Sequence, residues 1–515
     1  MKKLLSVITA LFIITSSYAQ NQEKIFYTVD IDTAQHYLNV HMDYVKDSPS
    51  LSELKLKLPV WAPGYYLIVD YPKNLTDFQV SATFPTGMEE RKVTWRKEGK
   101  NAWIISAPDA DTIRADYRVF CKAYSVAESR VQNDIAFIAP NGIFMHPDNA
   151  QVPVQVTFRL PSDWQHISTG LKLSDSYSYG NGKSYTYHAD NFDILYDSPL
   201  LLGNHHVHHF THEGHEYEVA LETPDGYFAS GIEDDWKKVI TETTKLMGDV
   251  PYDNYCLIHL GAGGGGLEHS NSQACYSNGT WNFQDHAEYI NYLGFITHEY
   301  FHLYNVKSIR PIELGPFDYD KEVFTPLLWV SEGFTVYYET QLMLRAGIIT
   351  AEELLDELSG YFQNIETHEG QKHMSLRQSS YDIWLNFFNK NENGQDTRIS
   401  YYIKGPVIGL LFDCFIRDKT KGEKSLDDLM RLLYNRYFLD AKRGFTEIEF
   451  WAAADEIAGT STALLRHYVD TTDSIDYEEL LSPLGIQIDR TAWKLSLQEK
   501  PRKSILRLRK QLLGK

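Results

Sequence analysis

The chain has 515 residues, of which 43% are hydrophobic and 23% charged, and its formal net charge at pH 7 is −20. This composition is that of a globular protein and excludes a disordered or collagen-like chain. So acidic a protein lacks the basic surface of a general nucleic-acid binder, and we expect no nucleic-acid partner. The 4 cysteines include no C-x-x-C pair, so any metal site is expected to use histidines and carboxylates.

The first residues, 1–19, have the pattern of a cleavable export signal. A basic start at Lys2 and Lys3 precedes an apolar run at residues 4–14, and the small residue Ala19 ends the segment. The run is too short for a stable anchor, and no later stretch holds about 20 uninterrupted apolar residues, so we expect no membrane span. The sequence therefore predicts a periplasmic or secreted protein, with an uncleaved N-terminal anchor as the alternative.

The remaining chain divides by periodicity, which predicts an α+β multidomain fold. Short segments rich in β-branched and aromatic residues predict a β-rich N-terminal domain over residues 20–220, ending in a hairpin at 207–221. Longer helical periodicities predict a second domain over 221–480. Its expected helices cover 234–247, 285–305, 327–346, 351–367, 402–417, 425–437 and 446–459. Residues 481–515 are expected to form a basic tail with one short amphipathic helix.

The most informative segment is His-Glu-Tyr-Phe-His at residues 298–302, which fits the pattern H-E-x-x-H. In a helix, His298 and His302 project from one face about one turn apart, so both imidazoles can bind the same Zn²⁺. Glu299 then points beside the metal, where it can take a proton from water. The motif alone leaves open a pair of ordinary helix histidines.

A third ligand distinguishes these interpretations, because catalytic zinc takes three protein ligands and keeps one position open. Glu332 is the one carboxylate in the mostly apolar run 327–338. A buried carboxylate is costly unless it is paired or bound to a metal, so Glu332 is the candidate third ligand.

A glycine run at residues 261–266 precedes Glu268. No Gly-Lys-Ser/Thr follows it, which disfavours a phosphate-binding loop. At a strand edge, Gly265 and Gly266 would let a peptide backbone approach closely, while a plain flexible loop is the alternative.

Taken together, residues 298–311 and 329–335 resemble the glycyl aminopeptidase family of zinc peptidases, gluzincins related to the alanyl aminopeptidases. Residues 58–67 are similar to the signature of that family's β-rich N-terminal domain, and residues 400–405 extend the resemblance. It covers roughly residues 22–480. It implies a thermolysin-like zinc catalytic domain with a helical C-terminal part behind the β-rich domain.

The resemblance also implies roles for individual residues. His298, His302 and Glu332 would hold one Zn²⁺ per chain, and Glu299 would act as the general base.

Two further roles come from the same resemblance. Tyr402, in the motif Tyr-Ile-Lys-Gly, would donate a hydrogen bond to the oxyanion, with Tyr401 as the alternative. Glu268 would bind the free α-amino group of a peptide substrate. Leu267 and His269 depart from the alanyl aminopeptidase motif at this point.

The implied function is that of an exported zinc aminopeptidase acting after small N-terminal residues, Gly or Ala. The alternatives are a zinc endopeptidase of the same fold and a non-catalytic exported binding protein, against which the intact Glu299 argues. Members of the family usually carry a C-terminal PDZ-like domain, and residues 481–515 are too few for a complete one. The sequence predicts no particular oligomeric state.

Overall fold

The computed structural model describes residues 24–46, 52–85, 87–179, 182–224, 227–277, 281–386 and 392–514. The predicted export signal at residues 1–19 lies outside these ranges. Among the helices that are described, none combines the length and the apolar character needed to cross a lipid bilayer.

The described chain contains strands, α-helices and shorter helical turns. The strands are β1 Lys24–Asp32, β2 Tyr37–Val45, β3 Glu53–Lys57, β4 Leu75–Phe84, β5 Gly87–Lys92, β6 Thr94–Glu98, β7 Ala102–Ser106, β8 Thr112–Phe120, β9 Arg130–Val131, β10 Ile135–Ile138, β11 His146–Pro147, β12 Val154–Leu160, β13 His166–Thr169, β14 Lys172–Tyr179, β15 Gly182–Ala189, β16 Leu200–Gly203, β17 His206–His212, β18 His215–Leu221, β19 Asn254–Leu260, β20 Gly266–Glu268, β21 Ser272–Tyr276, β22 Ile486–Asp489 and β23 Lys494–Leu497.

The α-helices are α1 Phe192–Tyr196, α2 Tyr227–Ser230, α3 Ile232–Met247, α4 His286–Phe301, α5 Phe334–Arg345, α6 Ala351–Thr367, α7 Leu376–Tyr381, α8 Ile383–Asn386, α9 Gly394–Thr397, α10 Tyr401–Lys419, α11 Leu426–Leu433, α12 Glu447–Ala458, α13 Ala463–Asp470, α14 Tyr477–Leu481 and α15 Lys503–Leu513. Two stretches are π-helical, Trp329–Gly333 and Tyr434–Asp440. Single 3₁₀ turns occur at Tyr71–Asn74, Pro140–Gly142, Ile312–Leu314, Glu369–Lys372 and Ser482–Leu484.

The N-terminal domain is built on an eight-stranded sheet with the order β14-β15-β12-β1-β2-β8-β4-β5. Alternate residues of β1 and β2 are buried, so the sheet has one core face, as the alternation in the sequence predicts. Two four-stranded sheets complete the domain, β13-β16-β10-β9 and β11-β3-β7-β6. The predicted β-rich N-terminal domain followed by a helical region is confirmed.

The second domain begins with a five-stranded sheet in the order β17-β18-β19-β21-β20. The hairpin predicted at residues 207–221 forms as β17 and β18, but β18 pairs in parallel with β19. Strand pairing therefore places the division between the domains near residue 204 rather than at 220. Alternation along the chain identifies a hairpin, but it carries no information on which sheet the hairpin joins.

Helices pack around this sheet and enclose the largest apolar core of the described chain. The periodicity at residues 351–367 corresponds to α6, which begins with a capping box between Thr350 and Glu353. The run predicted as one helix at 327–346 instead starts with the π-helical stretch Trp329–Gly333 and continues as α5. A π-turn inserts about one extra residue per turn, which a simple periodicity does not reveal.

The π-helical stretch crosses the first turn of α10 backbone against backbone. A Cβ atom added to Gly333 would lie 2.5 Å from the Cα of Gly405, far inside van der Waals contact. This close approach of two glycines brings Glu332, next to one of them, and Tyr402, one turn before the other, to the same side of the crossing.

We predict that Gly333→Ala forces the two backbones apart. Overpacking of this kind costs about 1–3 kcal/mol, so the melting temperature should fall. The matched control is Gly360→Ala in α6, where an added Cβ meets nothing within 4 Å. At that position alanine lowers the entropy of the unfolded chain and has a better helix propensity than glycine. The free energy of unfolding should therefore rise by about 0.5–1 kcal/mol. Thermal unfolding of both variants tests this, and equal shifts would contradict the role of the crossing.

Candidate active site

Helix α4 carries both histidines of the H-E-x-x-H motif into the interior. Its N-cap, Asp285, accepts a hydrogen bond from the backbone N–H of Glu288. Its last turns are almost wholly buried, with His302 at the C-cap, so both imidazoles lie inside the protein. Buried histidines need partners for both ring nitrogens.

The two rings are oriented by hydrogen bonds at Nδ1. His298 Nδ1 donates to Oε2 of Glu339 at 2.8 Å, and His302 Nδ1 donates to the backbone carbonyl of Asn305 at 2.7 Å. These bonds leave both Nε2 atoms facing each other, 3.0 Å apart. Metal-binding histidines usually donate a hydrogen bond from one ring nitrogen, which orients the ring so that the other nitrogen can bind the metal. Here Nδ1 donates that bond and both Nε2 atoms point toward a shared position.

Glu332, from the π-helical stretch, completes the cluster. Its Oε2 lies 3.2 Å from His302 Nε2 and 3.6 Å from His298 Nε2, and its side chain is only 3% exposed. Within the described chain this oxygen has no hydrogen-bond partner. A buried acceptor without a partner, beside two converging imidazole nitrogens, suits a cation bound by all three. The residues therefore fit a metal ion, and these three can hold one.

The electrostatics of the cluster also favour a cation. Burial alone would raise the pKa of Glu332, but the imidazoles of His302 and His298 outweigh it and lower that pKa to about 2. Burial likewise opposes protonation of His298, yet the carboxylates of Glu332 and Glu339 raise its pKa well above the ordinary value. The raised pKa of His298 shows that this histidine lies among carboxylates, and the lowered pKa of Glu332 shows that its carboxylate stays ionised.

Glu299 lies beside these ligands and is 6% exposed. Burial, reinforced by the nearby carboxylates of Glu268 and Glu332, raises its pKa to about 7 against the opposing effect of the two histidines. The edge strand β20 leaves room for it, because a Cβ added to Gly266 would lie 2.1 Å from Oε1 of Glu299. Any side chain at position 266 would clash with this carboxylate, so glycine is needed there.

Glu268, at the end of β20, is the other buried carboxylate in the cleft region and is 5% exposed. Three atoms that could bind a metal ion lie within 4.8 Å of one another: a carboxylate oxygen of Glu268, one of Glu299 and a ring nitrogen of His302. The backbone of Glu268 pairs with β21, but its side chain makes no hydrogen bond or ion pair with the residues the structure describes. The turn before its strand uses Gly265, whose φ of +90° favours glycine.

A segment of the N-terminal domain closes this end of the site. A Cβ added to Gly64 would lie 2.7 and 2.9 Å from the carboxylate oxygens of Glu268, so the backbone at Gly64 rests directly against that side chain. Tyr65 and Tyr66 continue the same segment along the wall of the cleft.

The cleft that contains the site has a volume of about 570 Å³. Tyr402 lines it, with its ring centroid 6.3 Å from that of His298. Tyr401 is 1% exposed and is not part of the described lining. Of the predicted residues, the cleft is lined by Gly265, Gly266, His298, Glu299 and Tyr402, while His302 and Glu332 lie next to His298 and Glu268 lines a small neighbouring pocket.

Sequence reasoning missed the outer support of the cluster. Glu339 follows Glu332 by two helical turns, a spacing that could have pointed to a second carboxylate on the same face. Tyr66 belongs to the N-terminal signature, to which the sequence analysis gave no role in the site. The Asn305 carbonyl could not have been found, because a backbone acceptor has no signature in the sequence.

We predict that Glu339→Gln weakens zinc binding by about 10–100-fold, because loss of such an outer-shell carboxylate loosens and weakens its histidine ligand. Competition with a chromophoric chelator measures the affinity. The control is Glu357→Gln, a nearby carboxylate that accepts a hydrogen bond from the Tyr361 hydroxyl at 3.4 Å instead. Equal affinities of the Glu339 variant and the wild type would exclude this role.

Two parts of the chain match models of known protein families. Residues 291–408 match the family model of the M61 glycyl aminopeptidases, and residues 26–204 match that of the peptidase M61 N-terminal domain. Comparison with curated proteins gives no significant match.

Solved structures extend the similarity over most of the chain. An aminopeptidase N family protein from Idiomarina loihiensis is 25% identical, with a TM-score of 0.81, covering 90% of this chain and 79% of its own. The M1 zinc metallopeptidase of Deinococcus radiodurans is 12% identical with a TM-score of 0.53, covering 88% of this chain and 94% of its own. Legionella pneumophila aminopeptidase A, solved with aspartic acid, is 12% identical with a TM-score of 0.56, covering 87% of this chain and 49% of its own. The last two share the fold alone.

The two family models lie on the two domains seen in the structure, and the glycyl aminopeptidase model contains the H-E-x-x-H motif and the π-helical stretch. The chain belongs to the M61 glycyl aminopeptidase family and is a metallopeptidase.

Proposed function

We propose that the protein is an exported zinc aminopeptidase that removes small residues, Gly or Ala, from the free N-terminus of peptides. The observation that carries the proposal is the convergence of His298 Nε2, His302 Nε2 and the partnerless Oε2 of Glu332, with the Glu299 carboxylate beside them. Export is supported by the pattern of residues 1–19.

His298, His302 and Glu332 would hold one Zn²⁺ per chain. A zinc ion in such a site supplies a Lewis acid that polarises the scissile carbonyl and makes water more acidic. The remaining chemistry belongs to side chains of this protein.

Glu299 is the general base. As the water oxygen bonds to the carbonyl carbon, Glu299 accepts the water proton. It then delivers that proton to the leaving amine nitrogen as the carbon–nitrogen bond breaks. Its pKa near 7 suits both tasks, because the group can exist in either form close to neutral pH.

Tyr402 is positioned to donate its phenolic O–H to the carbonyl oxygen, which gains negative charge during attack. Its position on the cleft wall near His298 supports this role, and burial raises its pKa well above the ordinary value. The hydroxyl therefore stays protonated near neutral pH, and a protonated hydroxyl is what stabilising an oxyanion requires.

Glu268 would bind the substrate ammonium group. Its carboxylate is buried and unpaired within the described chain, and it lies close to Glu299 and His302. The backbone at Gly64 lies against the carboxylate oxygens of Glu268, and we take this contact as the closed end of the substrate site. A site closed at this end favours an aminopeptidase over an endopeptidase.

The size of the adjoining space supports a preference for small N-terminal residues. The pocket that Glu268 shares with Tyr66, Trp61 and Phe317 has a volume of only about 20 Å³. We assign this pocket to the N-terminal side chain of the substrate; with room for about one water molecule, it would favour Gly or Ala over larger residues.

We predict that Glu299→Gln retains zinc and loses turnover by about 10²–10⁴-fold, because an amide cannot accept the proton. His302→Ala should lose the metal itself. Metal analysis by mass spectrometry and assays on Gly- and Ala-anilides separate the two effects. Full zinc content in the His302 variant, or a near-normal rate in the Glu299 variant, would contradict the assignment.

We predict that Glu268→Gln lowers kcat/KM on Gly- or Ala-anilides by a factor equivalent to about 2–4 kcal/mol of transition-state stabilisation, the scale of breaking a buried charge pair. N-acetylated substrates should be poor for the wild type and little changed by the substitution. Glu216→Gln, an exposed carboxylate of the same domain, is the control for loss of one negative charge. Cleavage of acetylated peptides as fast as free ones by the wild type would replace the aminopeptidase with the endopeptidase alternative.

A further inference from the structure

A second cavity, of about 160 Å³, lies where the two domains meet. It is separated from the cleft by the strand that carries Glu268, whose neighbours Leu267 and His269 both line it. The N-terminal domain contributes Asn141 and the region of α1, and the C-terminal domain contributes residues that follow the H-E-x-x-H helix. The roles proposed above do not use this cavity itself, although Pro63, Lys307, Arg310 and Phe317 also line the small pocket beside Glu268.

Arg310 is the main charged group that the cavity leaves without a partner. It belongs to the Ile-Arg-Pro part of the motif noted in the sequence, and its side chain is partly buried. Its guanidinium group makes no hydrogen bond or ion pair with the residues the structure describes, although the charges of Asp193 and Asp197 act on it. Its Cζ lies 5.8 Å from the ring centroid of Phe317. A guanidinium group presents several N–H donors in a planar fork.

Two further polar groups lining the cavity are buried and unbonded. The carboxamide nitrogen of Asn141, a residue 3% exposed, has no hydrogen-bond partner within the described residues. The same is true of Nε2 of His269, whose side chain is 7% exposed and whose Nδ1 lies 3.1 Å from Oδ1 of Asp197. Groups of this kind are normally satisfied, so their presence in one cavity points to a ligand.

The two aspartates that line the cavity are already engaged. Asp197 forms an ion pair with Lys307 and accepts hydrogen bonds from the backbone and hydroxyl of Ser270. Asp193 accepts from the Tyr319 hydroxyl and from the Gln151 side chain.

We propose that this cavity is a binding site for a small oxyanion, of carboxylate or phosphate size. Arg310 would bind two of its oxygens side by side, and the Asn141 carboxamide would donate to another. The arginine fork matches the spacing of oxygens in both kinds of anion, which is why the shared chemistry is that of an oxyanion. A metal cation is disfavoured, because the groups left unbonded include a guanidinium and an amide nitrogen.

The site lies directly behind the strand that holds Glu268, so its occupancy should stabilise the position of that carboxylate. This second step rests on the proposed function, in which Glu268 binds the substrate ammonium group. The first step, binding of the anion, does not.

The site can be tested by isothermal titration calorimetry. Acetate and inorganic phosphate are titrated separately, and NaCl keeps the ionic strength constant. We expect saturable binding to the zinc-loaded wild type and an affinity about 10–100-fold lower in Arg310→Gln, the scale for hydrogen bonds to a charged group. The relative affinities of acetate and phosphate distinguish the two kinds of oxyanion. Arg436→Gln, which removes an exposed arginine paired with Glu456, is the charge-matched control and should bind like the wild type.

Binding that persists unchanged in Arg310→Gln belongs to the catalytic cleft and overturns the proposal, as does the absence of saturable binding in the wild type. If circular dichroism shows that Arg310→Gln does not fold, Asn141→Ala replaces it. The same loss of anion affinity is then expected, and unchanged affinity overturns the proposal. The calorimetry needs no turnover, so its result stands apart from that of the peptidase assays.

Steady-state kinetics test the second step. Saturating anion should lower KM for an Ala-anilide in the wild type and in Arg436→Gln, but not in Arg310→Gln. Binding by calorimetry without any change in KM would exclude the effect on Glu268 while leaving the site itself established.

Discussion

The constraint on which the rest of this structure depends is the burial of several carboxylates within reach of two imidazoles. Glu268, Glu299, Glu332 and Glu339 all lie at or near the same cleft, and the first three are at most 6% exposed. So much negative charge away from water is unfavourable unless a cation or hydrogen-bond donors compensate it. The surrounding helices are apolar and rigidly packed, so the carboxylates cannot relax into solvent.

The carboxylates can occupy these positions because glycines, which have no side chain, stand at the points where a backbone segment approaches them closely. Gly64 and Gly266 leave space for Glu268 and Glu299, respectively. The contact between Gly333 and Gly405 sets the π-helical stretch against α10. Each contact joins segments far apart in the chain, so the site is assembled by backbone proximity as much as by the side chains that perform the chemistry.

The two domains share the site rather than merely flank it. The segment at Gly64 and Tyr66 forms one end of the cleft, although it belongs to the β-rich domain. Apolar residues of the sheet β13-β16-β10-β9 and of the five-stranded sheet form a common core at the junction, which holds the segment in place. The same junction contains the cavity with Arg310, which is lined by Leu267 and His269, the chain neighbours of Glu268 on the edge strand.

The sequence by itself determined the features that depend on local periodicity and spacing. The i, i+4 histidines lie on α4, the helical periodicity at residues 351–367 forms α6, and the β-rich segments at the start of the described chain form β1 and β2; all of these are local patterns. The lone carboxylate at Glu332 could be singled out because its neighbours are apolar.

Only the tertiary structure decided which distant groups meet. The hairpin of β17 and β18 joins the second domain because β19 offers it a parallel partner, a fact that no alternation encodes. The π-turn before α5 aims Glu332 at the histidines, and Glu339 and the Asn305 carbonyl orient their rings. Gly64 meets Glu268 across more than 200 residues of chain. These outcomes depend on packing between segments, and the sequence of one segment does not specify what another segment brings to it.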